Sequence, residues 1–111
     1  MQKYIRGETP KLWAAINAET FGDDGTITKG ALTDPAGSVK CIIWDCVHEV
    51  VQAEADCTKS ATGKYYYAGY TIGTTALVSD TKPYEYEIRA VDGSSRKSVK
   101  KGYFLVVEHI A

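Results

Sequence analysis

Along most of this chain apolar and polar residues alternate one by one, the period of a strand with one face buried. In "KLWAAIN", Leu12, Ala14 and Ile16 alternate with Trp13, Ala15 and Asn17. In "SVKCIIWDCV", Val39, Cys41 and Ile43 share one face, and Lys40, Ile42 and Trp44 the other. "HEVVQAEAD" sets Glu49, Val51, Ala53 and Ala55 against His48, Val50, Gln52 and Glu54. Ala and Glu would also suit a helix there, but the pattern favours a strand. The cleanest alternation is "KPYEYEIRAVDG", which predicts Tyr84, Tyr86, Ile88 and Ala90 inside and Glu85, Glu87 and Arg89 in water.

Glycine decides the reading of "GKYYYAGYTI", Gly63 to Ile72. Uninterrupted alternation would separate Tyr70 and Ile72 from Tyr65 and Tyr67. A bulge at Ala68–Gly69 resets the register and gathers Tyr65, Tyr67, Tyr70 and Ile72 on a core face, with Tyr66 and Thr71 opposite. The tyrosines are therefore expected to be mostly core. Turn formers separate the runs. "AETFGDDGTITKGALTDPAG" predicts one long connection, with turns at "DDG" and "DPAG". "DGSSRK" predicts a hairpin into a last strand, "SVKKGYFLVVEHI". About seven strands and no helix predict an all-β fold, a two-sheet antiparallel sandwich. The 111 residues suit a single domain spanning 1–111.

Two stretches carry a resemblance. "YEYEIRAVDG" has the spacing of the sixth strand of fibronectin type III and related immunoglobulin-like domains. The wider series "YIRGETPKL", "DPAGSVKCIIWD", "SATGKYYYAGYTI", "YEYEIRAVDG" and "KKGYFLVVE" resembles small stand-alone immunoglobulin-like or macroglobulin-like sandwich proteins. These are known from phage and provirus structural regions and from prokaryotic surface proteins. The resemblance implies an immunoglobulin-like sandwich in which Tyr84 serves as the tyrosine corner. Its motifs are fold motifs and carry no catalytic signature. The chain departs from the pattern twice: "CVHE" follows "IWD" where a Pro-Asp-Gly-like turn is usual, and "VSDTK", Val78 to Lys82, lengthens the connection before the sixth strand. That loop, with Asp80 and Lys82, is the expected place for a feature particular to this chain.

Composition narrows the chemistry. A net charge of −1 gives no global attraction to nucleic acid or to an anionic membrane. The charge is uneven: residues 1–60 hold six Lys/Arg and nine Asp/Glu, residues 61–111 seven and five, with the basic excess in "RKSVKK". Strict alternation there would put Lys97, Val99 and Lys101 on one face and Arg96, Ser98 and Lys100 on the other. A divided set of charges with only Tyr103 and Phe104 near it as stacking aromatics argues against nucleic acid and suits an edge strand protected by lysine. Three cysteines, Cys41, Cys46 and Cys57, cannot all pair within the chain and fit a reducing compartment. The first residues lack a signal-peptide apolar run and no segment has transmembrane length. Assembly in the cytoplasm, in the resembled proteins into a virion, is the expectation.

Candidate chemistry is sparse. The histidines are His48 and His109, and neither a G-x-S-x-G elbow nor a P-loop is present. No enzymatic activity is expected. Cys46, His48 and Cys57 lack the usual spacing of structural zinc ligands, and "DDGT", Asp23 to Thr26, lacks the ligand pattern of a calcium loop. No metal, cofactor or small-molecule ligand is expected. Aromatics are the remaining signal, with eight Tyr and two Trp. Trp13, Trp44 and Tyr66 alternate opposite to the inward sets, so they are candidate contacts with a protein partner or a second copy, together with Asp80 and Lys82. The expected function is a non-enzymatic structural or accessory module acting by protein–protein contact; the alternative is a carbohydrate- or protein-binding module of a cell-surface protein.

Overall fold

The computed structural model describes the backbone at residues 1–21, 27–32, 34–35, 37–92 and 95–108, and side chains at 1–16, 32, 34–35, 37–90 and 100–108. The described residues form ten strands and no helix: β1 (Gln2–Ile5), β2 (Leu12–Ala15), β3 (Asn17–Phe21), β4 (Ile27–Leu32), β5 (Val39–Trp44), β6 (Val50–Asp56), β7 (Thr58–Ala61), β8 (Lys64–Tyr67), β9 (Tyr84–Asp92) and β10 (Ser95–Val107). They make a five-stranded sheet, β1-β10-β9-β5-β6, a three-stranded sheet, β2-β8-β7, and the two-stranded pair β3-β4.

One core joins the two larger sheets. β2 and β8 contribute Leu12, Ala14 and Tyr67, while β5, β9 and β10 contribute Val39, Cys41, Ile43, Tyr84, Tyr86, Ile88, Phe104 and Val106. Ile16 and Ile72 enter from the segments that follow β2 and β8. This is all-β and compatible with a β-sandwich. The inward sets expected on β2, β5 and β9 are buried as expected, because strands that line the shared core must place their apolar side chains on that face.

Several details differ from the sequence expectation. The stretch 18–37, expected as one connection, contains strand residues of both β3 and β4, which pair with each other with Glu19 opposite Lys29. Thr20, Ile27 and Thr28 are of residue types that favour strands, and the short polar surroundings hid the pattern. The "DDG" turn and Asp23 to Thr26 lie outside the described residues, as do Gly93, Ser94 and His109. Asp92 pairs with Ser95, so the expected hairpin joins β9 to β10. The antiparallel rule also has an exception, since β1 pairs parallel with β10, Gln2 opposite Phe104 through Ile5 opposite Val107.

The tyrosine stretch groups its residues as expected, but by another route. There is no bulge within a continuing strand: β8 ends at Tyr67, and 68–73 continue without a ladder. Tyr67 and Ile72 are buried and Tyr65 and Tyr70 pack against the core. The irregular segment is fixed by backbone bonds, Gly7 N–H to Ile72 O at 2.8 Å and Ile72 N–H to Glu8 O at 2.9 Å. On β6 the expected alternation fails, because the β5–β6 register shifts between Cys41 and Ile43 and again before Trp44. Ala55 packs on the core, while Val50 and Val51 are exposed. The register of β10 also shifts, between Ser98 and Lys100. Lys97 pairs with Ala90 and Lys101 with Glu87, residues on opposite faces of β9, so the expected grouping of Lys97 with Lys101 does not hold.

Candidate contact surfaces

The "IWD" hairpin closes without the Pro-Asp-Gly-like turn. Asp45 does the work of that turn: its Oδ1 accepts the amides of Val47 and Glu49, each at 3.0 Å, and its own N–H donates to Glu49 O at 2.8 Å. His48 takes the left-handed conformation that completes the reversal, with φ of 62°. Its ring lies flat against Trp44, centroids 5.2 Å apart, and Nδ1 is 3.4 Å from Glu85 Oε2. Trp44 is half-buried on the outer face of the five-stranded sheet, opposite Glu85 on β9.

The same face carries an ion cluster. Glu87 was expected in water but is only 7% exposed. It lies on β9, between β5 and β10, where Arg89 Nε donates to it and Lys101 Nζ approaches to 3.5 Å. Arg89 also reaches Glu54 on β6 at 3.4 Å. Burial alone would push the Glu87 carboxyl up, but Arg89 and then Lys101 hold it below the ordinary value. The register of three strands makes this cluster, and alternation on one strand gives no sign of it.

The outer face of the three-stranded sheet carries the other aromatic pair. Trp13 and Tyr66 are direct cross-strand neighbours, with ring centroids 5.0 Å apart. Trp13 is 45% exposed. Lys11, two residues before Trp13 and on the same face, holds Nζ 4.9 Å from the Trp13 ring centroid and 4.3 Å from that of Tyr66. The sequence reading named both rings and missed Lys11, although its spacing of two from Trp13 was the signal.

Asp80 and Lys82 are exposed, in the loop between Ile72 and β9. Ser79 shapes the loop: its N–H donates to Val106 O at 2.8 Å, and its Oγ accepts the amides of Thr81 and Lys82. The candidate contacts therefore occupy three places, with Trp13 and Tyr66 on one sheet, Trp44 on the other and the loop pair apart from both.

Asp34, the first residue of "DPAG", binds the β7–β8 hairpin. Its carboxylate accepts the Gly63 amide at 2.9 Å and the Tyr65 hydroxyl at 3.0 Å and pairs with Lys59. The Gly63 bond, then Lys59, bring its pKa down to about 2. Gly63 has φ of 69°, which suits glycine at this turn. Among the described residues no three of His, Cys, Asp and Glu converge as metal ligands. Cys41 is buried, and Cys46 and Cys57 pack against the core while His48 lies on Trp44. Comparison with known proteins identifies no family model, no curated relative and no solved structure that matches this chain.

Proposed function

We propose that this chain is an immunoglobulin-like sandwich that works by protein–protein contact and not by catalysis, as a virion structural or accessory protein of the phage or provirus type. The fold part is supported by the strand order. β2-β8-β7 matches the order of the second, fifth and fourth strands of an immunoglobulin sheet, and β10-β9-β5-β6 matches the facing sheet with its extra edge strand. It is supported also by the Tyr84 hydroxyl, which donates to Leu77 O seven residues upstream at 2.7 Å, as a tyrosine corner does. The virion assignment rests on the sequence resemblance.

The observation that carries the contact function is the outward Trp13–Tyr66 pair. Two large rings held against each other at a tilt across β2 and β8 lose little side-chain freedom on binding, and aromatic residues are enriched at protein interfaces. Lys11 adds a cation at the same spot, suited to an acidic group on the partner.

The test is co-sedimentation of the chain with particles released by cells carrying its gene. The chain should band with the particles, and Trp13→Asp/Tyr66→Asp should be lost from them while melting at the wild-type temperature. Particles that lack the wild-type chain would sink the reading.

A further inference from the structure

The five-stranded sheet has two unlike edges. Among the described residues, β10 pairs with β9 along one side, and on the other with β1 only over Phe104–Val107. The edge from Ser95 to Tyr103 is open there. It carries Arg96, Lys97, Lys100 and Lys101 and no acidic residue. At the far side of the same sheet, among the described residues, β6 pairs only with β5. The segment Glu49–Asp56, "EVVQAEAD", holds Glu49, Glu54 and Asp56 and no basic residue. Asp56 keeps most of its side chain in water while pairing with Lys40, and Glu49, Val50 and Val51 are exposed.

From these edges we infer that the chain assembles head to tail, the basic edge of β10 in one copy taking the acidic edge of β6 in a second copy as its next strand. The inference rests on the contact reading above and names a second copy of the chain as the occupant. Three antiparallel pairings separate β10 from β6, so the two strands run antiparallel. A copy displaced along the sheet therefore meets β10 with β6 in antiparallel orientation. Its seven residues, Val50–Asp56, match the seven from Ser95 to Lys101. Main-chain hydrogen bonds would give this strand addition its affinity, and the charges would give its polarity. Two β10 edges repel each other, as do two β6 edges, so the lysines exclude the wrong pairing and favour the complementary one. Such a contact is heterologous and does not close on two copies, so it leads to a filament or a ring.

Sedimentation velocity of the full chain tests this across ionic strength. Raising salt from about 0.01 M to about 1 M shortens the screening length from about 30 Å to about 3 Å. The wild type should form concentration-dependent oligomers at the low end and sediment as a monomer at the high end. Arg96→Glu/Lys97→Glu/Lys100→Glu and Glu49→Lys/Asp56→Lys should each be monomeric alone, since each makes its two edges alike in the sign of their charge. An equimolar mixture of the two should associate again. Hydrogen exchange on the wild type provides a reading free of variants: amides of 95–103 and 50–56 should slow together as concentration rises in low salt. A wild type that stays monomeric at low salt and high concentration, or a mixture of folded variants that stays monomeric, overturns the inference. Either result leaves the Trp13–Tyr66 reading standing, because that reading is tested on particles.

Discussion

Gly102 lies beneath the ring of Tyr86. The two residues face each other across the β9–β10 ladder, and a Cβ placed on Gly102 would collide with Tyr86 Cζ and Oη. The ring fills the space a side chain would take, so a large inward tyrosine on a central strand can lie along its neighbour. Gly102→Ala should therefore push the Tyr86 ring out of its place beside Phe104, costing about 1–3 kcal/mol as for overpacked cores. Urea unfolding of the variant measures this. A midpoint equal to wild type would mean that the ring moves freely.

Tyr84 separates two contributions of one side chain. Its ring is fully buried between the sheets and its hydroxyl donates to Leu77 O. Tyr84→Phe removes the hydrogen bond to the Leu77 carbonyl and keeps the ring, so about 0.5–1.5 kcal/mol should be lost. Tyr84→Ala also empties the core, raising the loss to about 3–5 kcal/mol. Chemical denaturation of both variants gives the two numbers, and equal losses would refute this division.

Asp34 makes stability depend on acid. Its pKa, about 2 in the folded chain, is below the ordinary carboxylate value of 3.8. The folded state therefore binds the proton less readily than the unfolded state, and the stabilisation is complete above pH 4 and declines as pH falls from about 4 to about 2. Asp34→Asn should be less stable than wild type at pH 7, and the gap should close over that interval. A gap unchanged from pH 7 to pH 2 would show that the carboxylate charge is not what binds Gly63 and Lys59.

Thiol reactivity should follow burial. Desolvation pushes Cys41 up to about 12 and Cys57 up to about 11, so almost no thiolate forms at neutral pH. In native protein at pH 8, a disulfide reagent should leave both unmodified on the timescale in which it consumes a free thiol. All three cysteines should react in guanidinium. Rapid native modification at Cys41 would place that side chain outside the core.

Much of the fold was legible because one face of each central strand had to be apolar. The inward faces of β2, β5 and β9 could be read residue by residue, and with them and β8 the outward positions of Trp13, Trp44 and Tyr66. Legibility failed where pairing, not patterning, sets the geometry. Two register shifts against β5 scatter the side chains of β6, and neither leaves a mark in "VVQAEAD". Glu87 reads as a solvent residue from its own strand, yet Arg89, Lys101 and the neighbouring strands enclose it. The turn at Asp45 was obscure because a carboxylate and a left-handed histidine replace the expected Pro-Asp-Gly chemistry. Strands β3 and β4 were hidden by glycine and aspartate in the stretch between β2 and β5.

The parallel pairing of Gln2–Ile5 with Phe104–Val107 has a consequence for biosynthesis. On a ribosome adding about 5–20 residues per second, the partner of β1 is completed some 5–20 s after β1 itself. Until then β1 has no ladder, and Tyr4 lacks the Phe104 ring against which it later stands edge-on at 5.4 Å. Closing so long a span of chain makes this seam a late event in folding. The nascent chain therefore carries β1 unmatched until β10 emerges.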